Sequence, residues 1–424
     1  MSCYNDDELE APAWINKEFL EEVLTSYENS GPIELIKYDM SPASMKGDHY
    51  ASAMFRCKTE YRFVNKDTTK VIQKRSLIIK TLPDAEGMKR DLLMESKVFE
   101  TEIGMFTETL PKISKILAQC GEPTKLSAGI IYHSLSPNKV IIFEDLCELG
   151  FDTVRGRYLT EDEVKAVYTK LAKLHAVSYM LGHSENNDLV TKYQDGLMSV
   201  TLPLMKDLFT NGLKNFINLL SSHAEFEQYV DKAKAMHSEI EPACKDLYNA
   251  YRLNSGQGDI FVLNHGDFHM KNMMFKFHAD NTMEDMLMCD FQLSCYAPSV
   301  VDLIYSQFMI LTPEMRMRRH EFMQHYFSEF VRILKKINYQ GKLPKYSDFQ
   351  ISALKYRHYV IYLLAVMLPM VIDFMGKSAE ELKDMDFKEK VENPEASSSN
   401  YKLPAYVEEL KRILPILLNE GYLD

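Results

Sequence analysis

The sequence predicts an α+β fold, with a small antiparallel β-rich N-terminal part, residues 1–146, followed by a larger and mainly helical part, residues 147–424. Three observations predict it. Strand-like alternation is confined largely to the first third, apolar positions recur at helical spacing after Gly150, and a short β island from Ile260 to Asp290 interrupts the helices. With 424 residues, 46% of them hydrophobic, the chain can bury cores for two or three domains.

From Phe55 to Phe63 the β-formers Phe55, Cys57, Thr59, Tyr61 and Phe63 alternate with Arg56, Lys58, Glu60 and Arg62, the period of a half-buried strand. "NKDTTK" turns the chain, and "VIQKRSLIIKTLP" reads as the antiparallel partner, ending with Lys80 just before Pro83. Met88 to Leu110, rich in Met, Leu, Lys and Glu, predicts one helix carrying Glu95, Glu100 and Glu102. "KVIIFED", Lys139 to Asp145, is a further strand. "TEDEVKAVYTKLAKLHAVSYML" then opens on a capping box, Thr160 with Glu163, and lays Val164, Val167, Tyr168, Leu171, Leu174, His175 and Ser178 along one helical face. Residues from about 199 to 250 and from about 314 to 374 also read as helices, and "ENPEASSSNYKLP", Glu392 to Pro404, reads as a surface loop.

A formal net charge of -12 and a pI near 5.6 argue against a nucleic-acid or anionic-membrane partner, which calls for a basic patch that releases counterions. A small molecule or a protein is the expected partner. The seven cysteines are scattered without C-x-x-C spacing, so reduced thiols and a cytoplasmic setting are expected. The acidic N-terminus lacks the apolar stretch of a signal peptide. The apolar run from Tyr359 to Ile372 falls short of the roughly 20 residues a bilayer requires and carries Pro369, which predicts a buried helix.

The chemistry concentrates in "NHGDFHMKNMMF", Asn264 to Phe275. Its apolar strand breaks at Gly266, so Asp267 heads a loop. "NMMFKF" and "MLMCDF" read as the arms of a hairpin, and pairing sets the first residue of one arm, Asn272, beside the last of the other, Asp290. Oxygen donors of this kind suit Mg²⁺, which is usually held by one or two side chains plus substrate phosphates. Asp267 is left for another task. An Asp that takes the proton of an attacking hydroxyl, an Asn five residues on and a later Asp as metal ligands make up a phosphoryl-transfer plan.

Together "NHGDFHMKNMMF", "CDFQLS", "KLAKLHAVSY", "FEDL" and "SLIIKTLP" resemble the ecdysteroid kinase-like proteins of insects, relatives of choline kinases and aminoglycoside phosphotransferases. The resemblance runs from about Gly47 to Phe330 and implies a bilobal protein-kinase-like fold that uses ATP and Mg²⁺. It implies Asp267 as catalytic base, Asn272 and Asp290 as metal ligands, Lys80 as the lysine on the nucleotide phosphates, and Glu102 as its ion-pair partner. The "FEDL" connector, with Glu144 and Leu146, would meet the adenine. Two departures stand out: "SMKGDHYASAMF" offers only Gly47, with Asp48 to Ser52, where many kinases have a glycine-rich loop, and Gln292 replaces the glycine of a DFG motif. The implied acceptor is a hydroxyl of a lipophilic alcohol, an ecdysteroid or a related steroid or xenobiotic, with apolar lining from "YSQFMILTPEMRM" and "YVIYLLAVMLPMVI".

The same residues admit other readings. His265, Asp267 and His269 on one strand face could ligate a metal in a metallohydrolase, although the remaining histidines form no second cluster. A kinase-shaped binder without turnover would tolerate the sparse glycine loop. A choline- or ethanolamine-type kinase would want an aromatic cage, and the sole tryptophan is Trp14. His175 is expected as a buried histidine satisfied by a backbone carbonyl, and Asp302 as an acid bracing the Asp267 loop. The 25 methionines are taken as core filling.

Overall fold

The computed structural model describes residues 9–29, 31–43, 52–64, 70–83, 88–185, 187–200, 202–377, 381 and 398–424. Gly47, Asp48, the "NKDTTK" turn up to Thr69 and the first part of the "ENPEASSSNYKLP" loop lie outside the described residues.

The N-terminal part runs α1 (Lys17–Glu28), β1 (Glu34–Pro42), β2 (Ala53–Val64), β3 (Lys70–Thr81), α2 (Met88–Glu95), α3 (Val98–Gly104), α4 (Leu110–Gln119), β4 (Ile130–Ser134) and β5 (Val140–Glu144). The strands form one five-stranded sheet in the order β1-β2-β3-β5-β4, antiparallel at every pairing. The two-residue period of the strands sorts the side chains between two cores. Phe55, Cys57 and Tyr61 of β2 and Leu77 and Ile79 of β3 pack with Leu20, Val23 and Leu24 of α1. On the other face Ile78, Ile141 and Phe143 join Val98, Phe99 and Ile103 of α3. Lys80, two residues from Ile78, falls on this second face.

Three of these elements have no counterpart in the sequence reading. β1 leaves most of its side chains exposed and so carries no apolar alternation. α1, capped by Asn16 through a 3.0 Å bond from the Phe19 amide, and the five-residue β4 are equally unsignalled. The single helix expected over Met88–Leu110 is three segments: α2, then a bend at Ser96–Lys97, then α3 running through a π-helical turn, Met105–Thr109, into α4. Helix propensity cannot reveal such a bend, because packing of Val98 and Phe99 decides where the chain turns. Nor does Pro111 end the helix: it falls in the first turn of α4, directly after the π-helical turn Met105–Thr109.

α5 (Glu161–Gly182) starts at the expected capping box, and its seven named stripe residues are all buried. Then follow α6 (Leu189–Lys192), α7 (Leu197–Val200), α8 (Leu202–Ser222), α9 (Glu227–Met236) and α10 (Ile240–Asn249). The β island is β6 (Phe261–Asn264), β7 (Met273–Phe277) and β8 (Met283–Met288), and β9 (Cys295–Pro298) extends it beyond Asp290. β7 and β8 form the expected hairpin, and β6 pairs antiparallel with β9. α11 (Val300–Met309), α12 (Pro313–Met317), α13 (Arg319–Lys336), α14 (Tyr346–Lys355), α15 (Arg357–Tyr362), α16 (Leu368–Met375) and a closing helix, Pro404–Asn419, complete the chain. A small antiparallel sheet followed by a large helical body with a hairpin-bearing β island is the protein-kinase-like fold.

A π-helical turn joins α15 to α16, so Arg357–Met375 is one continuous helix of 19 residues. It is longer than the apolar run read from sequence. By length and composition it could cross a membrane, and it lies largely buried against α8, α10 and α11.

Candidate active site

Gly266 creates the turn that presents Asp267. Its φ is +86°, and a Cβ there would stand 1.9 Å from the Leu293 carbonyl oxygen, so only glycine fits. The loop is held from below by Asp302 of α11, fully buried. Its Oδ2 accepts the His265 amide at 2.6 Å and its Oδ1 the Gly266 amide at 2.9 Å. Asp302 thus braces the loop as expected. His175 is buried as expected, but its partners are side chains and not a backbone carbonyl: Tyr326 Oη at 2.8 Å and Asp302 Oδ2 at 3.2 Å. The carboxylate of α11 lies within reach of α5 and is the stronger acceptor, which local sequence could not disclose.

Both ring nitrogens of His265 are committed inside the protein. Nε2 donates to the Cys289 carbonyl at 2.8 Å, and Nδ1 accepts the Asp267 amide at 3.4 Å. Burial lowers its pKa, in keeping with a neutral ring. The three-ligand alternative of His265, Asp267 and His269 therefore loses a member, and no group of three or more His, Cys, Asp or Glu suited to a metal occurs among the described residues. His265 instead ties the Asp267 loop to the segment that carries Asp290.

The Asp267 carboxylate is surrounded by donors. Oδ1 accepts Tyr305 Oη at 2.7 Å and lies 3.3 Å from His269 Nε2, while Oδ2 accepts Asn272 Nδ2 at 3.1 Å. Burial pushes this carboxyl up, but His269 and the Tyr305 hydroxyl outweigh it and hold its pKa down at about 2. Tyr305 was not singled out in the sequence. The signal lies in "VVDLIY": Asp302 and Tyr305 are one turn apart on α11 and reach the same loop.

Asn272 ends a short 3-10 turn, and the hairpin register, Met273 opposite Met288, brings it beside Cys289, whose amide donates to the Asn272 carbonyl at 2.9 Å. Asp290 follows directly, in a left-handed conformation (φ 60°, ψ 62°) that Asp tolerates better than most residues. The Asn272 amide nitrogen faces Asp267, so its Oδ1 is turned away and accepts no bond among the described residues. A free amide oxygen beside a carboxylate is a fitting donor pair for Mg²⁺, so Asn272 and Asp290 are the residues that could hold it.

Lys80 stands at the centre of the sheet, between Met54 and Ile141, and is 3% exposed. Its Nζ donates to Glu102 Oε2 of α3 at 2.5 Å and to Asp290 Oδ1 at 2.8 Å. Burial acts to lower the lysine pKa, but Asp290 and Glu102 overcome it and keep the ammonium charged. Burial raises the pKa of Glu102, opposed by Lys80 and by the Phe291 amide. Of the three glutamates read from the sequence, Glu95 is exposed and Glu100 meets Lys139 at the surface.

Ser52 is buried just before β2, near the end of β3 that carries Lys80. Leu146 is buried with Phe151 and Leu287. The Glu144 amide donates to the Gly129 carbonyl, and its carboxylate accepts Lys125 and the Gly129 amide. Asp145 pins the connector through Arg56 Nε at 2.6 Å and Ser76 Oγ at 2.7 Å.

Comparison with curated proteins finds none that matches. Among solved structures, a spectinomycin phosphotransferase in complex with ADP and spectinomycin shares 14% identity over 96% of this chain and 99% of that one, with a TM-score of 0.38. A Plasmodium vivax ethanolamine kinase shares 12% identity over 93% and 91%, with a TM-score of 0.36. The sequence profile of the ecdysteroid kinase-like family matches residues 46–339, well over half of the chain and inclusive of the strand lysine, the Asp267 loop and the hairpin, and the chain belongs to that family.

Proposed function

We propose that this chain is an ATP- and Mg²⁺-dependent small-molecule kinase that transfers the γ-phosphate to a hydroxyl of a lipophilic alcohol, an ecdysteroid or a related steroid or xenobiotic. Family membership supports the reaction class. The observation that carries the reading is the convergence of buried Lys80 and Glu102 with half-buried Asp290 in one ion cluster, next to the Asp267–Asn272 pair. In this reading Lys80 pairs with the nucleotide phosphates and is kept in place by Glu102. Asn272 and Asp290 hold Mg²⁺, which when bound neutralises phosphate charge. Asp267 orients the acceptor hydroxyl and receives its proton. Oδ1 already serves Tyr305 and His269, so the acceptor approaches Oδ2, on the side of Asn272. Gly47, Ser52, Glu144 and Leu146 are proposed around the nucleotide, with the adenine contact left to connector groups other than the engaged Glu144 amide. A cytoplasmic setting is proposed as well, where the six described cysteines, all unpaired, remain thiols.

The acceptor class rests on the family and on what borders the loop. Lys271 Nζ lies 3.6 Å from the Phe374 ring centroid, so the end of α16, with half-buried Met370, Ile372 and Phe374, flanks the Asp267 loop. This narrows the sequence expectation: Phe308, Ile310 and Leu311 and most of Tyr359–Leu368 are core, and the half-buried apolar border comes from α16. Trp14 packs on Phe19 against the opposite face of the sheet, away from a choline cage around Asp267. Release of ADP with ecdysteroids, choline, ethanolamine and aminoglycosides tests the acceptor, and turnover of choline alone would overturn it.

Two smaller effects follow. Glu102→Gln should weaken nucleotide binding on the order of tenfold by removing a charge-assisted bond to Lys80. Glu95→Gln and Glu100→Gln should leave it unchanged, as ADP titrations can check. Tyr305→Phe should lower turnover about tenfold through a freer Asp267 carboxylate, with ADP affinity and melting temperature near wild type.

A further inference from the structure

Gln292 occupies the position where a DFG motif carries glycine, and the residue is 8% exposed. Nε2 donates to Asp290 Oδ2 at 3.2 Å. The opposite orientation would set the amide oxygen against a carboxylate oxygen, so chemistry fixes which end faces Asp290. That choice leaves Oε1 buried, and no group among the described residues donates to it. Asp290 Oδ1 is meanwhile held by Lys80. The carboxylate is thus gripped at both oxygens, and a strong acceptor lies one amide width from it without a donor. Buried acceptors are seldom left so without a function or a solvent partner.

We infer that Gln292 is an outer residue of the metal site, positioning Asp290 with its amide N–H and accepting a hydrogen from a metal-bound water at Oε1. The inference rests on the kinase reading and extends it. Mg²⁺ sheds water reluctantly and keeps several molecules in its shell, each a donor polarised by the cation. Such a water, bound to a cation at Asp290, supplies the bond that Oε1 lacks. Glycine at this position could neither orient the carboxylate nor receive the water. Residues that orient metal ligands typically change metal affinity by about 10–100-fold when replaced.

The test uses the full chain with Mn²⁺ as the probe, reading ADP affinity by calorimetry with Mn²⁺ and with EDTA. Gln292→Met, of similar length but without donor or acceptor, should weaken Mn²⁺·ADP binding about tenfold or more. ADP binding in EDTA should stay within about twofold of wild type if the contact acts only through the metal. In an Asp290→Asn background the same change should cost nothing further, because the carboxylate it serves has gone. Gln292→Glu covers the case in which Gln292→Met does not fold: a second carboxylate should strengthen Mn²⁺ binding and weaken ADP binding in EDTA. Wild-type Mn²⁺·ADP affinity in Gln292→Met, an equal loss with and without metal, or full additivity with Asp290→Asn would each overturn the inference while the kinase reading stands. Wild-type protein that binds no ADP under either condition would overturn the kinase reading itself, and this inference with it.

Discussion

Asp267→Asn should reduce turnover on the order of 10²–10⁴-fold while leaving Mg²⁺·ADP affinity nearly intact. The carboxylate projects from a turn that only Gly266 can make, and it touches donors of the loop and α11 rather than Lys80. Asparagine keeps the shape but cannot accept the proton of a hydroxyl as it attacks. With its pKa held at about 2 by His269 and Tyr305, Asp267 is ionised throughout the neutral range, so it should impose no acid limb on the rate near neutrality. The sign for stability follows. A carboxyl depressed below its unfolded value of about 3.9 contributes fully above that pH. The contribution is lost as pH falls towards about 2. Single-turnover phosphate transfer and ADP titration of the variant separate the two effects. Unchanged turnover would remove Asp267 from the chemistry.

Asp302→Ala should have the largest effect on stability, about 3–5 kcal/mol, as expected when one partner of a buried charged network is removed. Three groups lose their acceptor at once: the amides of His265 and Gly266 and the ring of His175, in a region where Asp302 and His175 are fully buried. Each stranded donor costs about 1–3 kcal/mol, and water has no easy access to replace the bond. Asp302→Asn retains an acceptor oxygen for one amide and should lose roughly half as much. Denaturant unfolding of both variants checks the order. Activity should fall with Asp302→Ala even at temperatures where the variant is folded, because the loop carrying Asp267 is no longer pinned. Equal stability of Asp302→Ala and wild type would show that the loop is braced elsewhere.

Local chemistry was enough to read part of this molecule. The alternation of β2, the capping box of α5 and the β7–β8 hairpin each express a period or a turn within a few residues, and the hairpin register alone sufficed to bring Asn272 beside Asp290. Asp267 was legible as the head of a loop and Asp302 as an acid on an apolar helix, whereas the role of Lys80 came from the family resemblance. Where no local period exists the sequence was silent: β1 is an exposed edge strand, and α3 is set off from α2 by a bend at Ser96–Lys97, after which Val98 and Phe99 enter the core. Tertiary structure also decided the choice among three glutamates on one helical stretch, since only Glu102 is directed at Lys80 while Glu100 turns to the surface. It alone put Tyr305 on Asp267, Gln292 on Asp290, and His175 between Tyr326 and Asp302. These contacts join residues whose partners lie on other elements or across a tight turn. Their selection depends on which side chains share a buried space, and there an unpaired polar group costs more than any local preference can offset.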